Sequence, residues 1–417
     1  MVQITASKLK AYFANSRMSP RTLLYVALNI TYLCSYLLFI YVKSNTRQIY
    51  IVQSRGFGHT LMQPYLAKQY FGELTEVVIL FDKARHNPFV RNVFSGKFLL
   101  VKGDKFRILL NLPKERFLVY LAERLAIRFC RYIVELFRGH ILTEESFPLD
   151  FTENRLCRYP LTKLFYETLE NNQGFNIPMK FQNDVDYTKI RNLEKDYEIV
   201  AFYFRKKGDI ENLGDYHRSG SSMKDYQQIF DFFESQECVV LVYGDLDRNE
   251  SAQFTQRYTN VFACTDLGIS SDKWNLIVPL LASYVIGNAG GGIVPAVLTK
   301  TRILIIDGYG YWYGVPNALH TFKLLKDNLG RRFNPVNFME KDPWGPRRQL
   351  ELRPVSLPPA LISEVLLEFW SLRNQDLTTY SSVSNLVLHQ DNWLGWTQSG
   401  KISNKYLDYV KDLPFYF

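Results

Sequence analysis

Short apolar runs alternate with amphipathic stretches along most of this chain. The run at 48–52 (QIYIV) has the length and composition of a strand. The glycine-containing stretch Ser54-Arg55-Gly56-Phe57-Gly58-His59 follows it directly. Residues 61–70 carry helical patterning, and 77–81 form a second apolar run. Strand, glycine turn, helix and strand open a βαβ unit. Residues 113–137 read as a long helix with Arg124, Arg128 and Arg131 along one side, either a solvated face or a basic strip against lipid.

A polar stretch at 171–196 is expected to link two domains. The second half opens on the apolar run at 198–204, of the kind that a parallel strand buried on both faces requires. A helix at 226–236, a strand at 238–243, a short strand at 261–264 and a helix at 274–282 follow. A strand at 284–286, a helix at 293–299 and a strand at 302–306 complete the series. This alternation predicts an α/β fold with a doubly wound parallel sheet. Pro343, Pro346, Pro354, Pro358 and Pro359 predict irregular chain, with a helix after them at 360–372. A single core rarely grows past about 250–300 residues, so a chain of 417 residues calls for two. The expected layout is an N-terminal membrane-associated helical segment at 1–45, Rossmann-like domains at 46–190 and 191–345, and a C-terminal extension with a helix at 346–417.

Residues 22–42 are mostly apolar and uncharged, about the length that crosses a bilayer. Asn29, Thr31, Ser35 and four tyrosines dilute the run. Basic residues on both sides leave little positive-inside bias. A spanning anchor, a helix lying in the membrane interface and a buried core helix all fit.

The net charge of +9 suits an anionic partner such as nucleotide phosphates or lipid head groups. No zinc-finger spacing, RNA-binding signature or long basic tract points to nucleic acid. The five cysteines are odd in number and widely spaced, and read as thiols without a disulfide or zinc framework.

Gly287-Asn288-Ala289-Gly290-Gly291-Gly292 lies between an apolar strand and a helix, where glycine lets a ligand approach the backbone. The N–H groups of the following helix would face an anion. The pattern matches neither a dinucleotide fingerprint nor a P-loop, so no bound cofactor is expected. Arg205 follows the first strand of the second half, and in open α/β sheets ligands sit beyond the carboxyl ends of strands. Its guanidinium suits a diphosphate, with Lys206 beside it. Tyr243 and Asp245 end the next strand on the same rim, and Asp245 is equally suited to cap a turn. The polar loop 215–222, with His217 and Ser219, would face the substrate or simply solvent. In the first half, Gly56 and Gly58 form the corresponding turn. His59 and Asp82 are rival general bases, His59 being equally suited to cap the helix or donate to a phosphate, and Arg85 and Asn87 lie in an acceptor loop. Asp-x-Asp occurs at 184–186, in the polar stretch, and at 245–247 after a strand, where a metal-dependent diphosphate site is the alternative reading. No Cys/His/carboxylate cluster has metal-ligand spacing, so the sequence requires no metal.

The stretch 200–307 resembles a group of bacterial glycosyltransferases found among surface-polysaccharide genes. The resemblance rests on FYFRKKGD, VVLVYGD, SSDKW, IGNAGGGIVPAV and ILIIDG, with RGFGH near the start. It implies the GT-B architecture, two Rossmann-like domains facing a cleft, with 46–190 as the acceptor domain and 191–345 as the nucleotide-sugar donor domain. More distantly, the arginine after a strand and the small-residue turn are similar to the diphosphate-holding elements of fucosyltransferases. That likeness makes Arg205 and Gly290 to Gly292 donor contacts. The family carries hydroxyl residues near Thr-Ser-Ser-Gly in the final turn, where this chain has Asn288-Ala289-Gly290-Gly291. The implied activity is hexosyl transfer from a nucleotide-diphosphate sugar to a glycan or lipid-linked acceptor. A single N-terminal span with the N-terminus inside would then place the catalytic part where nucleotide sugars are scarce, which favours an interfacial helix or anchor with the enzyme on the cytoplasmic face of the membrane. A sugar-nucleotide epimerase or hydrolase, and a nucleotide-sugar-binding protein without turnover, are the rival expectations.

Overall fold

The computed structural model describes residues 27, 30–31, 34–35, 37–39, 41–42, 48–52, 57–72, 75–81, 87, 89–94, 98–102, 116–143, 146–147, 160–172, 175–205, 222–246, 248–308, 314–335, 353–380 and 400–414. The chain splits into two compact units. One comprises Met1–Pro88 with Phe94–Leu149, the other Phe89–Val93 with Asp150–Phe417.

In the first unit the described strands are β1 (Gln48–Val52), β2 (Glu76–Phe81), β3 (Phe98–Lys102) and β4 (His140–Leu142), with helices α1 (Phe57–Phe71) and α2 (Arg116–Leu136). The strands form a parallel sheet in the order β3-β2-β1-β4. β1 is central and buried, as its apolar run requires. Helix α1 begins at Phe57, earlier than its periodicity predicts, so Gly58 and His59 stand in its first turn. Arg131 of α2 turns inward, donating from Nε to the Ile141 carbonyl and from Nη2 to Thr143 Oγ1, whereas Arg128 is exposed.

The described residues of the N-terminal segment are helical between 27 and 42. Cys34 and Leu37 are buried against Ile49, Ile51, Ala126, Ile127, Cys130 and Val134. One face of the segment is therefore committed to the core of this unit. No helix of the described residues is long and apolar enough to cross a membrane. Burial pushes the Cys34 and Cys130 thiols above their usual range.

The second unit contains helices α3 (Pro160–Asn171) and α4 (Val185–Glu194), then β5 (Glu198–Phe204), α5 (Gln227–Glu234), β6 (Cys238–Gly244), α6 (Arg248–Arg257) and β7 (Val261–Phe262). Next come α7 (Ser271–Leu281), β8 (Tyr284–Gly287), α8 (Val294–Leu298), β9 (Arg302–Gly308) and β10 (Ala318–Phe322). β11 (Leu324–Lys326), β12 (Arg332–Phe333), β13 (Arg353–Val355), α9 (Pro359–Ser371), β14 (Gly400–Ile402) and α10 (Asn404–Lys411) complete it. The main sheet is parallel, in the order β14-β10-β9-β8-β5-β6-β7. After β7 the chain crosses to the other side of β5, so the order reverses between β5 and β8. Such a switch point opens a crevice at the carboxyl ends of the two strands.

Aromatic residues fill the layer on one side of this sheet. Phe230 of α5 lies with its ring 4.9 Å from that of Phe202 and 5.7 Å from that of Tyr258. Trp274 of α7 is buried and donates from Nε1 to the Val242 carbonyl at 2.7 Å, which pairs its one polar atom.

The polar stretch 171–196 is not a linker, because the division between units falls at 149/150. Its charges are consumed locally. Asp184 caps α4, and Lys273 of α7 bridges Asp184 at 2.9 Å and Asp186 at 2.8 Å. The first Asp-x-Asp is thus a helix cap and ion pair, with the Asp184 carboxyl held below its usual range through hydrogen bonds from Lys273 and the Asp186 N–H, against the opposing effect of burial. Nor do residues beyond 346 form an appendage: β14 extends the main sheet beside β10, and α9 packs in its core.

Candidate functional site

Register brings the rim residues to one level. Tyr203 of β5 stands opposite Tyr243 on β6 and Gly287 on β8. The residues that follow these strands therefore emerge together: Arg205, Asp245 and the turn Asn288 to Gly292. A Cβ placed on Gly290 would lie 3.1 Å from Arg205 Nη1 and 2.9 Å from Tyr203 Oη. The guanidinium thus rests against the glycine turn across the switch point. Among the described residues no carboxylate pairs with it.

Asn288 is the pin of this arrangement. It is buried, and its Oδ1 accepts the Arg205 backbone N–H at 3.3 Å. Its Nδ2 donates to Tyr226 Oη at 2.9 Å and to the Ile306 carbonyl at 3.3 Å. Tyr226 in turn donates to Asp307 Oδ2 at 2.6 Å, and Asp307 Oδ1 accepts the Leu357 N–H at 3.0 Å. Five segments are tied together at the rim by this chain of bonds. Asn288 is expected from sequence as a donor contact; its polar atoms here hold backbone and side chains of the protein.

Tyr243 is likewise buried and donates to the Gly292 carbonyl at 3.2 Å. It supports the turn from beneath. Tyr203 packs on it with ring centroids 5.2 Å apart, and its ring fills the space where a Gly292 Cβ would stand. Glycine at 292 is therefore a packing requirement. Asp245 is exposed beyond β6, its N–H donating to the Phe204 carbonyl at 3.0 Å.

The helix after the turn differs from expectation. Gly291–Ile293 form one 3-10 turn and α8 spans only Val294–Leu298, so its dipole is small. The positive groups at this rim are instead the Arg205 guanidinium and the backbone N–H groups of the turn. Among the described residues, none accepts from the N–H of Ala289, Gly290 or Gly291.

Asp307 and Lys323 are rim residues that sequence reasoning missed. Asp307 directly follows the apolar core of β9, the same placement that singles out Arg205. Lys323 follows β10 and is buried; burial pushes its ammonium below the usual range, opposed by Asp307 and Asp225. Its strand has a mixed sequence, ALHTF, that gave no signal.

Other expected site residues are placed only in part. Gly58 and Asn87 are both buried in the first unit. Gly56, Asp82, Arg85, Lys206, His217, Ser219, Asp247 and the side chain of His59 lie outside the described residues. Among the described residues no group of His, Cys, Asp and Glu is arranged to hold a metal.

No family model and no curated protein sequence matches this chain. Solved structures are similar to it at low identity. E. coli heptosyltransferase WaaC with ADP-2-deoxy-2-fluoro heptose is 11% identical, with 66% of this chain and 92% of that one covered and a TM-score of 0.38. A glycosyl transferase of family 9 from Veillonella parvula is 11% identical over 66% and 85%, with a TM-score of 0.40. UDP-GlcNAc 2-epimerase from Neisseria meningitidis bound to UDP-GlcNAc is 11% identical over 62% and 81%, with a TM-score of 0.34. Scores of this size leave the activity to be read from the site itself.

Proposed function

We propose that this chain is a glycosyltransferase that moves a sugar from a nucleotide-diphosphate donor to a glycan or lipid-linked acceptor in surface-polysaccharide synthesis, at the cytoplasmic face of a membrane. One observation carries the reading: an arginine with no carboxylate partner among the described residues rests against Gly290 at the switch point of a parallel sheet. A guanidinium and convergent N–H groups suit a diphosphate. They would stabilise the charge that develops on it as the glycosidic bond to the donor breaks. Asp245, exposed on the same rim, suits sugar or ribose hydroxyls. His59 and Asp82 are the proposed acceptor-side bases.

The test is a thermal-shift screen of the full chain with UDP-, GDP-, ADP- and CMP-sugars, then product analysis for each hit. Stabilisation by one nucleotide class and transfer to an added acceptor are expected. Epimerised or hydrolysed donor without transfer would assign the site to a sugar-nucleotide epimerase or hydrolase. Binding without any product would mark a binding protein, and no stabilisation by any nucleotide would overturn the reading.

A further inference from the structure

Helix α2 is apolar on two opposite faces. Ala126, Ile127, Cys130 and Val134 are buried in the first unit's core. Leu125, Phe129, Tyr132 and Leu136 point the other way and are exposed, Phe129 at 55%, Tyr132 at 65% and Leu136 at 66%. Their spacing of four, three and four residues puts them in one stripe along the helix. Phe137, 67% exposed, prolongs the stripe beyond the last turn. A soluble surface helix carries polar residues on that face. Five large apolar side chains in a row on an exposed surface mark a site that something covers.

The N-terminal helical segment runs alongside. Cys34 lies against Ala126 and Cys130, and Tyr41 against Gly139. It adds exposed Phe39 and Val42 to the apolar area of this unit. Charge then selects the occupant. Between 116 and 138 the sequence has five arginines and two glutamates, with Arg131 turned inward. Arg128, Glu135 and Arg138 are the exposed charged residues described on this helix and its end. The surplus of arginine over glutamate offers a second copy no complementary charge. A phosphate-bearing surface would attract it, and Phe and Tyr side chains suit the boundary between head groups and acyl chains.

We propose that the outer face of α2 docks in the plane of an anionic bilayer, with the apolar stripe below the head groups and the arginines at their level. This deepens the membrane-face part of the function proposed above and rests on it, but has its own readout. The helix would lie on the membrane while its inner face stays in the core, so attachment needs no spanning segment.

The experiment is co-sedimentation of the full chain with phosphatidylcholine vesicles and with phosphatidylcholine–phosphatidylglycerol vesicles. Binding to the anionic vesicles alone, weakened by salt, is expected. The double substitution Phe129→Ser/Leu136→Ser should reduce it by at least about tenfold with circular dichroism unchanged. Arg128→Glu, a surface change that leaves the apolar stripe intact, should also weaken it and serves if the double variant does not fold. No binding by the unaltered chain, or unchanged binding by either folded variant, would overturn the proposal. So would a dimer in the absence of vesicles that the double variant dissolves, which would assign the face to a second copy. Nucleotide-induced thermal shifts of the same variants report on the sugar-transfer reading separately, and should be unchanged.

Discussion

The side chain of Asn288 accepts the backbone N–H of Arg205 at 3.3 Å, so the residue that opens the glycine turn also fixes the end of the neighbouring strand. The two halves of the candidate anion site are thereby held in one geometry. Asn288→Ala removes that bond and those to Tyr226 and Ile306. The expected cost is about 2–3 kcal/mol of stability, because buried polar partners lose their bonds. Loss of the nucleotide-induced shift should exceed the loss of melting temperature. A variant that binds nucleotide as before would show that the pin does not serve the site.

Arg205→Ala leaves the fold intact, since the guanidinium is half-buried and makes no ion pair among the described residues. A charged hydrogen bond to phosphate contributes about 1.5–3 kcal/mol, roughly ten- to hundredfold in Kd. Calorimetric titration with the nucleotide found in the screen should show that loss. Arg205→Lys should recover only part of it, because an ammonium cannot engage two oxygens in a planar fork. Equal affinity in Arg205→Ala would remove the residue from the site.

The glycines of the turn should separate by their neighbours. At Gly292 an added methyl meets the Tyr203 ring, which is itself packed on Tyr243, and the ring has nowhere to go. Gly292→Ala should cost about 1–3 kcal/mol in thermal unfolding. At Gly290 the methyl meets the Tyr203 hydroxyl at 2.9 Å and one of its ring carbons at 3.3 Å, a milder approach than the 2.3 Å at Gly292, and Arg205 Nη1 at 3.1 Å. Gly290→Ala should melt near the unaltered chain but bind nucleotide more weakly, because the guanidinium is displaced. The reverse order of the two effects would refute the packing argument.

Acid sensitivity should trace in part to His320 on β10. Burial pushes its imidazole down to about 3, against 6.5 unperturbed, and its Nε2 accepts the Val315 N–H at 3.1 Å. The unfolded chain therefore binds a proton that the folded one refuses. Stability from this group is complete above about pH 6.5 and falls as pH drops toward 3, with a slope approaching about 1.4 kcal/mol per pH unit. His320→Gln should flatten the denaturant midpoint between those pH values. An unchanged acid profile would show that other groups dominate.

Much of the second unit was legible in the sequence. Buried parallel strands such as β5 and β6 are continuous apolar runs, and the rule that ligands gather beyond strand ends singled out Arg205 and the glycine turn without any coordinates. The same rule applied to β9 reaches Asp307. Elements of mixed or very short sequence were not legible: β10 contains His320 and Thr321, and β14 has three residues. Their strand identity comes from the neighbour they pair with, which no local pattern encodes. The polar stretch 171–196 misled for the converse reason, since its charges look solvated until Lys273, far along the chain, is brought between Asp184 and Asp186.

By itself the sequence determined the α/β class, the central strands and the chemistry of the rim, because apolar periodicity and residue type are local properties. The tertiary structure decided which of those rim residues meet. Only the strand order, with β8 placed beside β5, sets Gly290 against Arg205. Only packing shows that Asn288 and Tyr243 are spent on holding the turn, and that the outer face of α2 is left apolar in water. These are consequences of which surfaces are buried against which, a quantity fixed by distant parts of the chain together.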